Sequence, residues 1–330
     1  MYYKNLASYF REKYGQKILK LSIDAGFSCP NRKDGKRGCL FCSDSGAGEF
    51  AGDRKKSITE QIEDQKKFLS HKNKSNKYIA YFQAYTNTFD DVKNLSKLYY
   101  EALSCEGVIG IAVATRPDAL NDDIFELFKK INENYELWIE MGLQTVNEKT
   151  REIINIGYPL SSFTKAVERF RTMGVKVLAH IIVGLPGEGN KDFLKSIEYV
   201  NDKKLWGVKI HSLYIQKDSD IYDYYIKKPF KILSLEEYSD VVVSMIDRLN
   251  KDIIVHRITG DADKTKLFLP KWSMDKLKVI GTINKKLKQY YVDKKWWLRN
   301  QENLSSFFVC LKQNMGLRYN IYNEILYKSV

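Results

Sequence analysis

The sequence predicts an α/β fold of repeated βα units followed by a basic C-terminal extension. Three observations predict it. Six apolar, β-branched runs alternate with amphipathic segments, the connections between them are short, and positive charge concentrates in the last quarter of the chain. Such alternation implies parallel strands joined by right-handed crossovers. An open doubly wound sheet or a β/α barrel, full or partial, satisfies it. In both, chemistry gathers at the C-terminal ends of the strands.

The strand-like runs are residues 18–24, 78–84, 108–115, 137–143, 175–183 and 208–215. Between the first two, Ser57-Ile-Thr-Glu60 has the spacing of a capping box and opens a helix to about Leu69. Residues 90–103 place Val92, Leu95, Leu98 and Tyr99 on one helical face, and 121–131 repeat the pattern with Ile124, Leu127 and Phe128. Helices over 162–173 and 191–201 follow, and Ser234-Leu-Glu-Glu237 opens another to about Leu249. The domain division expected from charge is 1–255 for the βα repeats and 256–330 for the extension.

Composition bounds the function. The 330 residues are 44% hydrophobic and 29% charged, enough to bury one large core. Five cysteines, an odd number, argue against a disulfide-stapled secreted scaffold. The opening residues MYYKNLASYFREKYG carry charge throughout, and no apolar run reaches the length of a membrane span. A cytoplasmic location and no membrane partner are therefore expected. Net charge is +13, and residues 256–330 hold 15 Lys+Arg against 6 Asp+Glu, which leaves 39 against 35 before them. That basic stretch is interleaved with Trp272, Tyr290, Tyr291, Trp296 and Trp297. Cations neutralise phosphates and aromatics stack on unpaired bases, so RNA is a candidate partner. The blander reading is a solvated lysine-rich surface over an aromatic core.

The most specific signal follows the first strand. In SIDAGFSCPNRKDGKRGCLFCSDSG, Cys29, Cys39 and Cys42 are spaced C-x9-C-x2-C among Arg32, Lys33, Lys36 and Arg37. Thiolates bind soft metals, and neighbouring cations favour the thiolate. Structural zinc closes with four ligands, and the nearest further candidate, His71, sits at the end of a helix-like stretch. Three cysteines on a four-iron cluster would leave one iron open to substrate or cofactor. An open iron–sulfur cluster, a zinc site and coincidence are the three readings of the spacing. Cys105 and Cys310 read as small buried hydrophobes.

Other strand ends are polar: Gln83 to Thr88, Thr115-Arg116-Pro-Asp118, Glu140 to Gln144, His180 to Glu188, and Lys209 to Tyr214. Each alone reads as a cap or turn, but five at one topological position point to a shared pocket. There is no G-x-G-x-x-G after a strand, no Walker loop, no H-E-x-x-H and no G-x-S-x-G.

With those residues in hand, the chain resembles the radical S-adenosylmethionine (SAM) superfamily, and within it the Elongator-like branch of short bacterial YhcC/YtqA type. The wide cysteine spacing carries the likeness, together with YFQAYTNTF, ATRPD, GLQTVNEKT, VGLPGE, HRITGDA and PKWSMDKLKV. The resemblance implies a partial (β/α)6 barrel with a [4Fe–4S] cluster on Cys29, Cys39 and Cys42. It sets Phe41 near the adenine of SAM, Gln144 at the ribose and Gly184-Leu185 along the adenine, with Glu140 a further candidate in the cofactor pocket. Gln83, Thr86 and Asn87 stand where many members carry a Gly-Gly-Glu turn for the methionine amino group; that turn is missing here. Thr115 and Arg116 are candidates for the methionine carboxylate. Glu140, Glu188, His180 and His211 are candidates for later proton transfer, or satisfied core residues.

The implied function is reductive cleavage of SAM for tRNA modification, at the 5-substituent of a wobble uridine, with tRNA and a one-electron donor of flavodoxin or ferredoxin type as partners. Lys285, Lys286 and Lys288 are the nucleic-acid candidates. The acetyltransferase domain of the full Elongator catalytic subunit has no counterpart among these residues. Two alternatives stand: a radical SAM enzyme on a small metabolite or peptide, and a zinc-stabilised RNA-binding protein without catalysis.

Overall fold

The computed structural model describes residues 2–35, 38–44, 46, 51–70 and 75–315, with side chains up to Lys295. The chain opens with helix α1 (Leu6–Tyr14), capped by a reciprocal Asn5–Ser8 box. Strand β1 (Leu19–Ile23), α2 (Ile58–Ser70), β2 (Tyr78–Phe82), α3 (Val92–Ser104), β3 (Val108–Thr115), α4 (Asp122–Asn134) and β4 (Glu136–Gln144) follow. Next come α5 (Glu148–Ile153), α6 (Leu160–Thr172), β5 (Lys176–Val183), α7 (Asn190–Asp202) and β6 (Gly207–Ser212). The rest comprises β7 (Ile215–Gln216), α8 (Asp220–Lys227), α9 (Leu235–Arg248), β8 (Ile254–Arg257), β9 (Leu267–Leu269) and α10 (Lys276–Met315). Both capping boxes read from the sequence form: Ser57 Oγ accepts from the Glu60 amide and Ser234 Oγ from that of Glu237, each at 3.2 Å.

Seven strands pair in the order β1-β2-β3-β4-β5-β6-β8, every pair parallel. Each strand lies beside its predecessor in this sheet, without the order reversal that defines a doubly wound fold. The sheet curls into a half-barrel with helices outside it, and β1 and β8 form its two edges. The expected six strands gain a seventh, β8, which the sequence conceals because it is only four residues long. The run expected over 208–215 breaks in two: β6 ends at Ser212, and Ile215 pairs antiparallel with Leu269 in a separate two-stranded sheet.

The expected division at residue 255 falls inside β8. Charge balance changes there but burial does not, since Ile254, Val255 and Ile258 are all buried. Two compact units are separable, residues Met1–Ile283 and Asn284–Val330. No helix among the described residues is long and apolar enough to cross a membrane.

Helix α1 closes the lower end of the half-barrel. Phe10 is buried with Ile79, Ala112, Trp138 and Leu178, residues of four neighbouring strands. The helix is anchored at the first residue of β4: Glu136 accepts from Tyr9 at 3.1 Å, Tyr14 at 2.7 Å and Lys13 at 2.5 Å, and also pairs with Lys176. Burial opposes ionisation of this carboxyl, but the two lysines and Tyr14 prevail and hold it down at about 2. With the lower end plugged, the polar layer above Trp138 faces only the upper mouth.

Candidate active site at the cysteine loop

The loop after β1 carries all three clustered cysteines, and they line one cavity of 350 Å³ at the upper mouth. None is in a disulfide. The loop is tied to the barrel wall by backbone bonds, Leu40 N–H to Ile154 O at 3.0 Å and Ile221 N–H to Leu40 O at 2.8 Å. Asn155 adds a side-chain bond to Gly38 O at 2.8 Å, and Arg32 donates to Ser43 O at 2.6 Å. Leu40, Phe41 and Cys42 pack against a core of Ile154, Ile156, Tyr158, Leu185 and Leu213.

Cys39 is the most enclosed of the three, 7% exposed. Its Sγ lies 3.4 Å from Asn31 Nδ2 and 3.7 Å from Arg116 Nη1. The hydrogen bond from Cys42, against the opposing effect of burial, with Arg116 and Asn31 assisting, lowers this thiol to about 7. Cys42 moves the other way, because it keeps the shared proton and is buried. Three thiols facing one cavity, with thiolate character already favoured at one, form a soft donor set. No group of three His, Cys, Asp or Glu among the described residues is arranged around a single metal ion.

The cavity floor is a charged cluster. Glu140, 1% exposed, accepts from Trp138 Nε1 at 2.9 Å and Tyr81 OH at 2.9 Å, contacts His180 Nε2 at 2.8 Å and pairs with Lys209. Burial alone would raise its carboxyl; Lys209, Lys20 and His180 hold it well below the usual range. Burial draws Lys209 down to about 7 against the pull of Glu140, and burial with Lys209 brings His180 to about 4, so the imidazole is neutral. Arg257 and Asp261 pair at 3.1 Å on the same lining.

Among the described residues, four buried polar atoms on this wall lack a protein partner: Gln144 Oε1, His211 Nε2, Ser212 Oγ and Gln216 Nε2. Buried polar groups are normally satisfied, so these atoms mark where a polar ligand would bond. Gln144 is also held at φ 62°, a left-handed conformation uncommon outside glycine and found at functional sites.

Of the residues singled out from the sequence, Cys29, Cys39, Cys42, Phe41, Gln83, Thr86, Thr115, Arg116, Glu140 and Gln144 all line the cavity. Asn87 does not: its side-chain amide bonds Ala84 O and Ala114 O, both at 3.0 Å, so it shapes the turn after β2. Gly184 and Leu185 stand behind the lining, Leu185 within the core that carries Phe41. Glu188 turns to Thr145, and burial raises its carboxyl to about 7. Trp272 is packed on Tyr238 with its indole N–H on Leu233 O at 2.9 Å, a core role. Lys285 and Lys288 are exposed on α10 and Lys286 is half-buried. His71 and the side chains of Trp296, Trp297 and Cys310 lie outside the described residues.

Sequence reasoning missed Tyr81, Gln216, Arg257 and the contacts of Asn31. Tyr81 could have been found as an inward position of β2, two before Gln83.

Residues 29–200 match the Radical SAM superfamily and 205–289 match the Radical_SAM C-terminal domain. The first match begins at Cys29. The chain belongs to the radical SAM superfamily. Uncharacterized protein YtqA of Bacillus subtilis is 40% identical over 288 residues, 86% of this chain and 89% of that one. Protein YhcC of Escherichia coli is 37% identical over 263 residues, 79% and 84% of the two chains. The likeness is to the short YhcC/YtqA type of the Elongator-like branch. Among solved structures, the archaeal Elp3 of Methanocaldococcus infernus superposes with a TM-score of 0.60 at 17% identity, covering 70% of this chain and 59% of that one. A tRNA uridine(34) acetyltransferase of Methanocaldococcus jannaschii is 25% identical over 163 residues, 48% of this chain and 29% of that protein.

Radical SAM proteins use a [4Fe–4S] cluster and SAM, and need an electron donor. The donor set fits in its chemistry: three thiols line one cavity, and unsatisfied polar atoms stand on the wall beside them. Membership replaces the zinc-stabilised, non-catalytic alternative.

Proposed function

We propose that this protein is a tRNA-modifying radical SAM enzyme acting at the 5-substituent of a wobble uridine. Cys29, Cys39 and Cys42 hold the cluster. When bound, it would supply one electron for reductive cleavage of SAM, and with it the radical chemistry that abstracts hydrogen from a substrate C–H bond. A donor of flavodoxin or ferredoxin type brings that electron.

The chain's own residues bind, orient and exclude. Gln144 Oε1 is buried without a partner and meets the ribose hydroxyls, while Phe41 on its packed core borders the adenine. The lower floor holds its protons at fixed atoms: Lys209 Nζ, Tyr81 OH and Trp138 Nε1 all point at Glu140. Phe10 and Trp138 exclude water from below. Substrate thus meets the cofactor from the upper side.

The observation that carries the tRNA reading is the alignment with a tRNA uridine(34) acetyltransferase over 163 residues, supported by the surplus of cations from residue 256 onward. The test compares modified nucleosides of bulk tRNA from a deletion strain and its parent by mass spectrometry. One uridine derivative is expected to disappear or revert to its precursor. Unchanged nucleosides would transfer the reading to a small metabolite or peptide.

Lys285, Lys286 and Lys288 supply phosphate contacts. Reversing all three to Glu is expected to weaken tRNA binding and flatten its salt dependence, by about 0.7–0.9 in log–log slope for each phosphate no longer neutralised. Filter binding across a salt series reads it. An unaltered slope would remove α10 from the RNA surface.

A further inference from the structure

We infer that Arg116, assisted by Asn31, is a positioning residue that acts through the Cys39 sulfur to raise the reduction potential of the cluster. The inference rests on the cluster reading above.

The geometry is specific. Two nitrogens of Arg116 are taken by Asp118, Nε to Oδ1 at 2.9 Å and Nη2 to Oδ2 at 2.8 Å, and the remaining Nη1 is aimed at Cys39 Sγ. The guanidinium lies over the Tyr158 ring at 4.8 Å, and that ring is fixed by its hydroxyl on Gly142 O. The fork cannot turn toward the cavity without giving up Asp118. The second donor, Asn31, is pinned by Asn155 O at 2.7 Å. Both donors crowd Gly157, where a Cβ would stand 2.6 Å from Asn31 Oδ1 and 3.3 Å from Arg116 Nη2; its φ of +81° suits only glycine-like backbone. Asp118 holds the guanidinium from behind, so the ion pair presents its positive end to the sulfur.

Reduction adds one electron and takes the cluster from the 2+ to the 1+ state, with no bond made or broken in the protein. Negative charge then grows on the thiolates. Hydrogen bonds to the sulfurs, local charge and exposure are the protein's levers on such a potential. A buried cation and a half-buried amide on one thiolate both favour the reduced state. This differs from the methionine-carboxylate role the resemblance implied for Arg116, because the Nε–Nη2 edge of the guanidinium is committed to Asp118 and its Nη1 to Cys39.

The test is a potentiometric titration of the anaerobically reconstituted full chain without SAM, with dithionite as reductant and the reduced cluster read by electron paramagnetic resonance. Arg116→Gln is expected to cut the reduced-to-oxidised ratio about tenfold at fixed potential, a shift of about 59 mV to more negative values. Asn31→Ala should shift it the same way by less, with iron and sulfide content unchanged in both. An unshifted potential in Arg116→Gln with a full cluster overturns the inference. So does loss of SAM affinity with the SAM-free potential unmoved, which would make Arg116 a SAM ligand. Should Arg116→Gln fail to retain iron, Asp118→Asn decides: it leaves the cation less neutralised and should move the potential upward, and no movement overturns the inference. A wild-type chain that takes up no cluster would instead defeat the cofactor reading itself.

Discussion

Alanine in place of Cys29, Cys39 or Cys42 is expected to abolish cluster retention and bring 5′-deoxyadenosine formation down to background. Three protein ligands leave no redundancy: with two thiolates, two irons lack a protein bond, and the cluster is lost to solvent and reductant. Iron and sulfide counts after anaerobic reconstitution check the first half, falling from about four of each per chain. Product assay after dithionite checks the second. Cys105→Ala should change neither, since Cys105 caps α3 and contacts Thr59 and Glu101 O rather than the cavity. Retained turnover in any one of the three loop variants would remove that residue from the ligand set.

The second large effect is on stability. Lys209→Met is expected to cost about 3–5 kcal/mol, because it strands the Glu140 carboxylate inside the barrel. The two side chains are 3% and 0% exposed, so solvent screens little of their interaction. Thermal unfolding followed by circular dichroism should drop by roughly 10 °C. The double variant Glu140→Gln/Lys209→Met should be the more stable of the two, since no buried carboxylate is then stranded and the remaining cation Lys20 is only half-buried. The pH dependence has a definite sign. Glu140 is depressed in the folded chain, so its contribution is present above the ordinary carboxylate pKa of about 4.3 and is lost as pH falls from there through the lower folded-state value. Without Lys209 its pKa rises, and the deficit of the single variant therefore shrinks toward acid pH. A cost below about 1 kcal/mol near neutrality would show that the pair is not the keystone of the floor.

Much of this was legible in the sequence, for identifiable reasons. The run over 108–115 became β3 with the same bounds because every residue in it but Ile109 is buried and none breaks the period. The cysteine loop stood out because three thiols within 14 residues have few bland explanations. What stayed hidden was either short or distant. Strand β8 has four residues and β7 two, below what periodicity resolves. Helices α5 and α8 were missed for the same reason, with six and eight residues. The contact of Arg116 with Cys39 joins positions 77 apart, and that of Lys209 with Glu140 joins positions 69 apart. Asn87 is ambiguous in sequence for another cause: an amide after a strand suits a ligand or a carbonyl equally, and here its Nδ2 bonds two carbonyls.

The anchoring of α1 bears on how the chain is made. Its partner Glu136 is more than 120 residues downstream, and Asn5 bridges Val255 on the far edge of the sheet. During translation at about 5–20 residues per second, the helix waits roughly 6–25 seconds for β4 to leave the ribosome, and longer for β8. Through that interval Phe10, Tyr9 and Tyr14 have no native surface to cover them. The floor of the barrel is thus sealed by a segment synthesised well before the strands it covers.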